Sequence, residues 1–357
     1  DLMVGVVTVI RAEAPEAEVL APIPEPPPPE GPDSPQAQPG PRIMHGPDAP
    51  QFQALRRSRE DEWIPQLMKT LAIDDASLPV IWDAQACGKE IRRNAARGVH
   101  SLTFSENPAA MGYPSFHDEY WTPVWEALVD TETVMNVHIG SSGRLAITAA
   151  DAPMDVMITL QPMNIVQAAA DLLWSAPVKK YPTLKIALSE GGTGWIPYFL
   201  ERVDRTYEMH STWTGQDFGG KLPSEVFREH FLTCFIADPV GVATRHQIGV
   251  DNICWEADYP HSDSMWPGAP EQLDEVLKAN TVPDDEINKM TYQNAMRWYH
   301  WDPFTHVPKD QATVGALRKA SEGHDVTIQA LSHHKEGERG GGAGHFDALK
   351  AAARGNS

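Results

Sequence analysis

The chain is poor in cysteine, in basic residues and in long apolar runs. Its 357 residues include 3 cysteines and 29 Lys and Arg against 49 Asp and Glu, a formal net charge of -20. Because nucleic-acid phosphates are bound through Lys and Arg, this balance argues against a nucleic-acid partner. No run approaches the roughly 18 apolar residues of a membrane span, and no basic region with an apolar core opens the chain as in a signal peptide. We therefore expect a cytoplasmic protein without a membrane partner.

Two further absences narrow the chemistry. Cys87, Cys234 and Cys254 are scattered and form no CxxC pair, which suits a reducing compartment and predicts small buried apolar residues. No GxGxxG follows an early strand, so the nucleotide-binding type of α/β fold has no support.

Composition divides the chain into three predicted parts. Residues 1–58 begin with a short β-like run at 4–10 and continue as a Pro-rich tract, which predicts a largely disordered leader. Residues 59–305 form the predicted folded domain. Residues 306–357 form a C-terminal extension with few large apolar residues, and we expect it to be partly disordered.

The middle part alternates short apolar runs with amphipathic stretches. The predicted strands are 79–82, 101–104, 134–139, 184–188, 232–236 and 252–255. The predicted helices include 89–97, 120–129, 158–173, 195–210 and 271–279. Alternation of this kind predicts parallel βαβ units, and a barrel and a doubly wound sheet both fit. Six strands are two short of a closed eight-stranded barrel.

Three of the predicted strands end in a side chain that can bind metal or transfer a proton. These are His138, Glu190 and Asp258, and active sites of parallel α/β folds lie at the carboxyl ends of strands. Imidazole and carboxylate together suit zinc, and manganese or iron could accept the same ligands. Taken singly, each residue also fits a structural role, as a hydrogen-bonded histidine, a helix cap or a turn former.

Two more residues are candidates for binding substrate. His117 is predicted to open a helix after Pro114-Ser115, where it could face a pocket or serve as a local cap. Arg144, in the loop after His138, could bind a substrate carboxylate through its guanidinium, or could be a solvated loop charge.

Four separated motifs resemble landmarks of one enzyme family. They are Pro-Ser-Phe-His-Asp-Glu-Tyr-Trp at 114–121, Val-His-Ile-Gly-Ser-Ser at 137–142, Ser-Glu-Gly-Gly-Thr-Gly-Trp-Ile-Pro at 189–197 and Trp-Glu-Ala-Asp-Tyr-Pro-His at 255–261. In this order they resemble the amidohydrolase-related family, which includes aminocarboxymuconate-semialdehyde decarboxylase and γ-resorcylate decarboxylase. The resemblance implies a distorted (β/α)8 TIM barrel, incomplete here at its N-terminal strands.

The resemblance also implies roles for individual residues. His138 would bind a divalent metal, most simply zinc, and Asp258 would bind metal or transfer a proton. His261 would support the metal ligands or face the substrate, with His117 and Arg144 as further substrate-binding candidates.

Two departures from the family pattern bear on the mechanism. Family decarboxylases often have His where Glu190 stands, so Glu190 is a candidate general acid or base, or a residue that supports the metal ligands. The first-strand Asp/Glu-x-His or His-x-His pair is missing before Leu78: 4–10 is apolar and His45 stands alone.

The main hypothesis is therefore a metal-dependent enzyme. It would decarboxylate or hydrolyse a small aromatic or unsaturated carboxylic acid, with Glu190 and Asp258 as catalytic residues, and self-association is compatible with the sequence. One alternative is a metal-deficient barrel relic without activity. Another is a Pro-rich interaction protein, although no PxxP with flanking basic residues appears.

Overall fold

A computed structural model describes residues 80–149, 151–258, 264–265 and 268–323. Within them lies one parallel sheet whose strands follow one another in chain order. The strands are β1 (Ser101–Ser105), β2 (Val134–His138), β3 (Ile186–Ser189), β4 (Phe231–Phe235) and β5 (Ile253–Trp255). Five of the six predicted strands and the parallel α/β arrangement are therefore confirmed. The run at 4–10, the predicted leader and His261 lie outside the described residues.

Helices connect the strands and pack against the sheet. They are α1 (Ala84–Ala95), α2 (Thr122–Asp130), α3 (Met154–Leu160), α4 (Met163–Leu173), α5 (Ala176–Lys180), α6 (Ile196–Thr214), α7 (Pro223–His230), α8 (Pro239–Ala243), α9 (Arg245–Ile248), α10 (Ala269–Ala279), α11 (Asp284–Asn288), α12 (Asn294–Tyr299) and α13 (Val314–Ala320). Helix α6 ends at Gly215, whose φ of 68° is the left-handed conformation that commonly terminates helices.

The predicted strand at 79–82 is wrong for the residues that are described. Val80 and Ile81 are buried, but this stretch is a turn in which the Asp83 N–H donates to the Val80 carbonyl at 3.1 Å. The Asp83 side chain accepts from the Ala86 N–H at 3.0 Å and so caps α1. A short apolar run needs a buried position, and this one finds it beneath a helix rather than in the sheet.

The two faces of the sheet are covered differently. On one face, the sheet and the helices pack together and form the main core, which includes Phe104 and Phe235. The opposite face carries Val134, Ala187, Leu232, Cys234 and Cys254, and it packs against Trp298 and Tyr299 of α12. All three cysteines are buried, as predicted, and they form no disulfide with one another.

One helical stretch of the described residues, Met154–Leu173, is long and apolar enough for a membrane span by length and composition. The stretch is broken between α3 and α4 at Gln161 and Pro162. Helix α4 buries Ile165, Leu172 and other residues against the sheet, which is the usual position of a helix in a parallel α/β fold.

Candidate active site

Side chains that can transfer protons collect at the carboxyl edge of the sheet. Parallel pairing aligns Ser105 with His138 and His138 with Ser189. His138 therefore ends β2 at the level where Glu190 leaves β3. Two further carboxylates occupy equivalent places, because Glu106 directly follows β1 and Glu256 directly follows β5. Four of the five strands thus carry an ionisable side chain at or directly after their carboxyl ends, which is where the active sites of parallel α/β folds lie.

His138 and Glu190 form a direct ion pair. His138 Nε2 lies 2.9 Å from Glu190 Oε1, and only 26% and 8% of the two side chains are exposed. His138 Nδ1 lies 2.7 Å from the Ile139 carbonyl oxygen, which can only accept a hydrogen bond. With an ionised Glu190 at the other nitrogen, both ring nitrogens act as donors. Burial by itself lowers the pKa of His138, but the hydrogen bond and charge of Glu190 outweigh it, so the pKa is raised.

The backbone at Glu190 adopts a left-handed conformation that tertiary contacts hold in place. Its φ is 61°, and its N–H donates to Glu256 Oε1 at 3.0 Å. A Cβ on Gly191 would lie 2.1 Å from Ile165 Cγ2, so glycine is required there by packing against α4. Gly192 has a φ of 65°, which also favours glycine. Packing and turn geometry therefore account for both glycines without a substrate.

Glu256 is a buried carboxyl group beside two others. It is 3% exposed. Burial, with the charges of Glu190 and Asp258 added, raises the pKa of Glu256 to about 8. Its Oε1 accepts from Glu190, and its Oε2 has no hydrogen-bond partner among the described residues. Asp258 follows with a φ of 49° and is 6% exposed. Glu190, Glu256 and Asp258 thus make a carboxyl group cluster beside His138.

Glu106 fixes the loop that follows His138. Its carboxylate accepts from the Ser142 N–H at 2.7 Å, from the Ser142 hydroxyl at 2.5 Å and from the Ser141 hydroxyl. The Ser141 hydroxyl also lies 2.6 Å from the His138 carbonyl oxygen. These bonds hold the loop against the end of β1, so Glu106 positions the segment that carries both His138 and Arg144.

The structure brings His117 and Arg144 together in a pocket of about 530 Å³, and their role in binding substrate stays a prediction. The pocket lies between α4 and the loops after β1 and β2. Its lining includes neither His138, Glu190 nor Asp258. His117 does not open a helix: it precedes Asp118, whose side chain caps the 3-10 turn Glu119–Trp121. Its Nε2 pairs with Asp171 Oδ1 at 2.6 Å.

The described residues do not by themselves provide the metal site that the family resemblance implies. No group of three or more His, Cys, Asp or Glu side chains in the described ranges is placed to hold a metal ion. Zinc enzymes generally use three protein ligands and a water, whereas His138 Nε2 here faces Glu190. The predicted ligand roles of His138 and Asp258 therefore stay predictions.

Sequence reasoning missed Glu106 and Glu256, although both stand at strand ends. It also missed Asp238, whose Oδ2 accepts from the Thr193 and Gly194 N–H groups at 2.6 Å each. Asp238 thereby shapes the loop after Glu190. A search for ionisable side chains at the end of every predicted strand would have found Glu106 and Glu256. The hydrogen bonds of Asp238 could not have been found in this way, because they join segments that are distant in the sequence.

Comparison with known proteins identifies the family. The sequence profile of the amidohydrolase family matches residues 13–301, which is most of the chain. The match begins inside the segment predicted as a leader, and the boundary at residue 58 stays a prediction. No curated protein sequence gives a match.

Several solved structures share the fold. A 5-carboxyvanillate decarboxylase from Sphingomonas paucimobilis is 20% identical, with a TM-score of 0.51 over 64% of this chain and 66% of the decarboxylase. An amidohydrolase from Mycobacterium avium subsp. paratuberculosis K-10 is 22% identical, with a TM-score of 0.53 over 63% and 58% of the two chains. A 5-carboxyvanillate decarboxylase from Novosphingobium aromaticivorans, solved with manganese and a nitrobenzoic acid, is 17% identical, with a TM-score of 0.55 over 74% and 75%.

At these identities the structural likeness shows the fold. The chain spans less than two thirds of the length of the first two relatives. The amidohydrolase family has the TIM-barrel fold, so the parallel α/β sheet of the described residues is part of such a barrel and the predicted fold class is confirmed. The chain belongs to the amidohydrolase family.

Proposed function

We propose that the chain is an enzyme that cleaves a small aromatic or unsaturated carboxylic acid at the carboxyl edge of its sheet. The reaction would be a non-oxidative decarboxylation or a hydrolysis. The observation that carries this proposal is the 2.9 Å pair between His138 Nε2 and Glu190 Oε1, held at the ends of two adjacent parallel strands. Buried, oriented acid–base pairs of this kind are typical of proton transfer in enzymes.

The pair can act in either direction. In a decarboxylation, the bond between the carboxylate carbon and its neighbour breaks, carbon dioxide leaves, and the remaining carbon takes a proton from His138 Nε2. Glu190 stabilises the protonated imidazole before that step. In a hydrolysis, Glu190 would take a proton from the attacking water, the water oxygen would bond to the substrate carbon, the bond from that carbon to the leaving group would break, and His138 would give the leaving group its proton. Asp258, buried in the same cluster, is the second candidate for proton transfer.

The family resemblance adds a divalent metal to this proposal, with zinc, manganese or iron as candidates and His138 and Asp258 as ligands. A solved relative holds manganese. With the ion bound, His138 Nε2 would be a ligand rather than a proton donor, Glu190 would transfer the proton, and the ion would polarise a substrate oxygen. The described residues do not complete a set of metal ligands, so the chain's own acids and bases carry the proposed proton transfers. The incomplete ligand set also supports the competing proposal, a metal-deficient relic of the barrel.

Substrate binding and location are also proposals. His117, Arg144 and His261 are the candidate substrate-binding residues, and the first two line one pocket. We further propose a cytoplasmic location, which three buried cysteines without a disulfide support. Association into a homo-oligomer is proposed on the resemblance alone.

The test compares the chain with Glu190→Gln on 5-carboxyvanillate and 2,6-dihydroxybenzoate, with added manganese or zinc. Glutamine keeps the shape of the side chain and removes its acid–base function. We expect turnover to fall by about 10²–10⁴-fold while the urea midpoint changes little. Glu208→Gln, on the exposed face of α6, is the matched control and should retain full activity.

Release of carbon dioxide against incorporation of oxygen from labelled water separates the two reactions. Equal turnover of the Glu190→Gln variant and the parent would return Glu190 to a structural role. If the purified chain neither binds metal nor turns over either acid with added metal, the relic is the better account.

A further inference from the structure

We propose that the pocket lined by His117 and Arg144 is a binding site for a small planar aminocarboxylate, separate from the His138–Glu190 pair. The inference does not depend on the catalytic proposal, and it assigns His117 and Arg144 to this ligand in place of the catalytic substrate. A volume of about 530 Å³ lies within the range of small-molecule sites. The pocket lining includes Glu106, Asn164, Gln167, Asp171 and Trp174 together with His117 and Arg144.

Arg144 provides the carboxylate end of the site. Its backbone carbonyl accepts from Asn164 Nδ2 at 2.9 Å and from Gln161 Nε2 at 3.3 Å, so α4 and the residue before it fix the position of the residue. Its guanidinium, in contrast, contacts only Gln167 Oε1 at 3.4 Å and has no carboxylate partner among the described residues. A fixed backbone with an uncommitted guanidinium is prepared for a two-pronged bond to a carboxylate.

Asp171 provides the opposite charge in the same pocket. Its Oδ1 pairs with His117 Nε2 at 2.6 Å, and the two side chains are 42% and 48% exposed, so they are accessible from solvent. Its second oxygen is available for an amino group. The carboxylate of Glu106 is already used by three donors of the loop after β2. A lining with one uncommitted cation and one accessible carboxylate favours a ligand that carries both charges over a simple anion.

Trp174 supplies a wall for a planar ligand. Its side chain is half-buried and packs edge-on against Phe218, with ring centroids 5.4 Å apart. An indole held in this way keeps its orientation and offers apolar surface to a ring. The pocket is joined to the catalytic edge through Glu106, which lines it and also fixes the loop after His138.

The probe for this site is 4-(aminomethyl)benzoate, which carries both charges at neutral pH, with benzoate and benzylamine as comparison ligands that each carry one. Binding to the full chain is measured by isothermal titration. We expect Arg144→Gln and Asp171→Asn each to weaken 4-(aminomethyl)benzoate binding roughly tenfold or more, the usual effect of losing a charged hydrogen bond. Arg205→Gln, an exposed arginine on α6, is the matched control and should leave binding unchanged.

The Glu190→Gln variant separates this inference from the catalytic proposal. It should bind 4-(aminomethyl)benzoate as the parent does, whatever its turnover. The inference is overturned if 4-(aminomethyl)benzoate does not bind, or binds no more tightly than benzoate. It is also overturned if Arg144→Gln and Asp171→Asn leave binding intact, or if Glu190→Gln abolishes it, which would place the ligand at the catalytic edge.

Discussion

Glu106 and Glu256 occupy matching places in the sheet and have different surroundings. Each directly follows an edge strand of the described sheet, and each is 3% exposed. Glu106 accepts three hydrogen bonds from Ser141 and Ser142, whereas Glu256 accepts one, from the Glu190 N–H. A buried carboxylate needs donors to stay ionised. The hydrogen-bond donors around Glu106 give this carboxylate a structural role, whereas the scarcity of donors around Glu256 leaves that carboxyl group protonated at neutral pH.

The largest effect is expected from Glu106→Ala. The change removes the acceptor of two hydroxyls and one N–H, two of which belong to the buried Ser142. Bonds to charged acceptors contribute about 1.5–3 kcal/mol each and are not additive, so we expect the free energy of unfolding in urea to fall by about 4 kcal/mol. Glu208→Ala, at an exposed site of α6, serves as the control. A loss below about 1 kcal/mol would contradict the structural role of Glu106.

Glu256→Gln should stabilise the protein at neutral pH. With a folded pKa of about 8 against an ordinary 4.5, Glu256 keeps its proton in the folded chain while the unfolded chain ionises. Stability of the parent is therefore lost progressively as pH rises from 4.5 to 8, by at most about 1.4 kcal/mol per pH unit. Glutamine does not titrate and can still accept from the Glu190 N–H.

We expect the stability difference between Glu256→Gln and the parent to move roughly 2 kcal/mol in favour of the variant from pH 5 to pH 7. Urea unfolding at both pH values provides the measurement. A difference that does not change with pH would show that Glu256 is ionised in the folded protein and that the contrast with Glu106 is wrong.

The smallest effect is expected from Ser142→Ala, which leaves the Glu106 carboxylate with fewer hydrogen-bond donors and so closer to the surroundings of Glu256. It removes one donor to Oε1 and leaves the Ser142 N–H and the Ser141 hydroxyl in place. We expect a loss of about 1 kcal/mol in the free energy of unfolding. Ser211→Ala, at a partly exposed position in the last turn of α6, should be close to neutral. Equal effects of the two serine changes would argue against a specific bond to Glu106.

The sequence predicted the sheet better than the site. Strands β1 to β5 were found because each is a short apolar run between polar segments, and burial on both faces of a parallel sheet produces such runs. The run at 79–82 shows the limit of this rule, since burial beneath α1 gives the same pattern. His138 and Glu190 were found because they end strands.

The contacts that hold the site could not be predicted from local pattern. Glu190 receives its backbone bond partner from 66 residues away, and Glu106 binds a loop 36 residues away. Such pairings depend on how the strands come together rather than on the residues beside them. The pocket that unites His117 and Arg144 arises in the same way, from the placement of α4 against two loops.

Helix α12 packs over the face of the sheet that carries Cys234 and Cys254, and this packing has a consequence for the order of folding during synthesis. The Tyr299 hydroxyl donates to Asn136 Oδ1 across 163 residues of sequence. While the ribosome is still making the chain between them, β2 can pair with its neighbours, but the cysteine-lined face stays open to water. Closing so long a loop is slow relative to local pairing. We therefore expect this face to be the last to gain protection from hydrogen exchange, and a nascent chain ending before α12 to recruit a chaperone there.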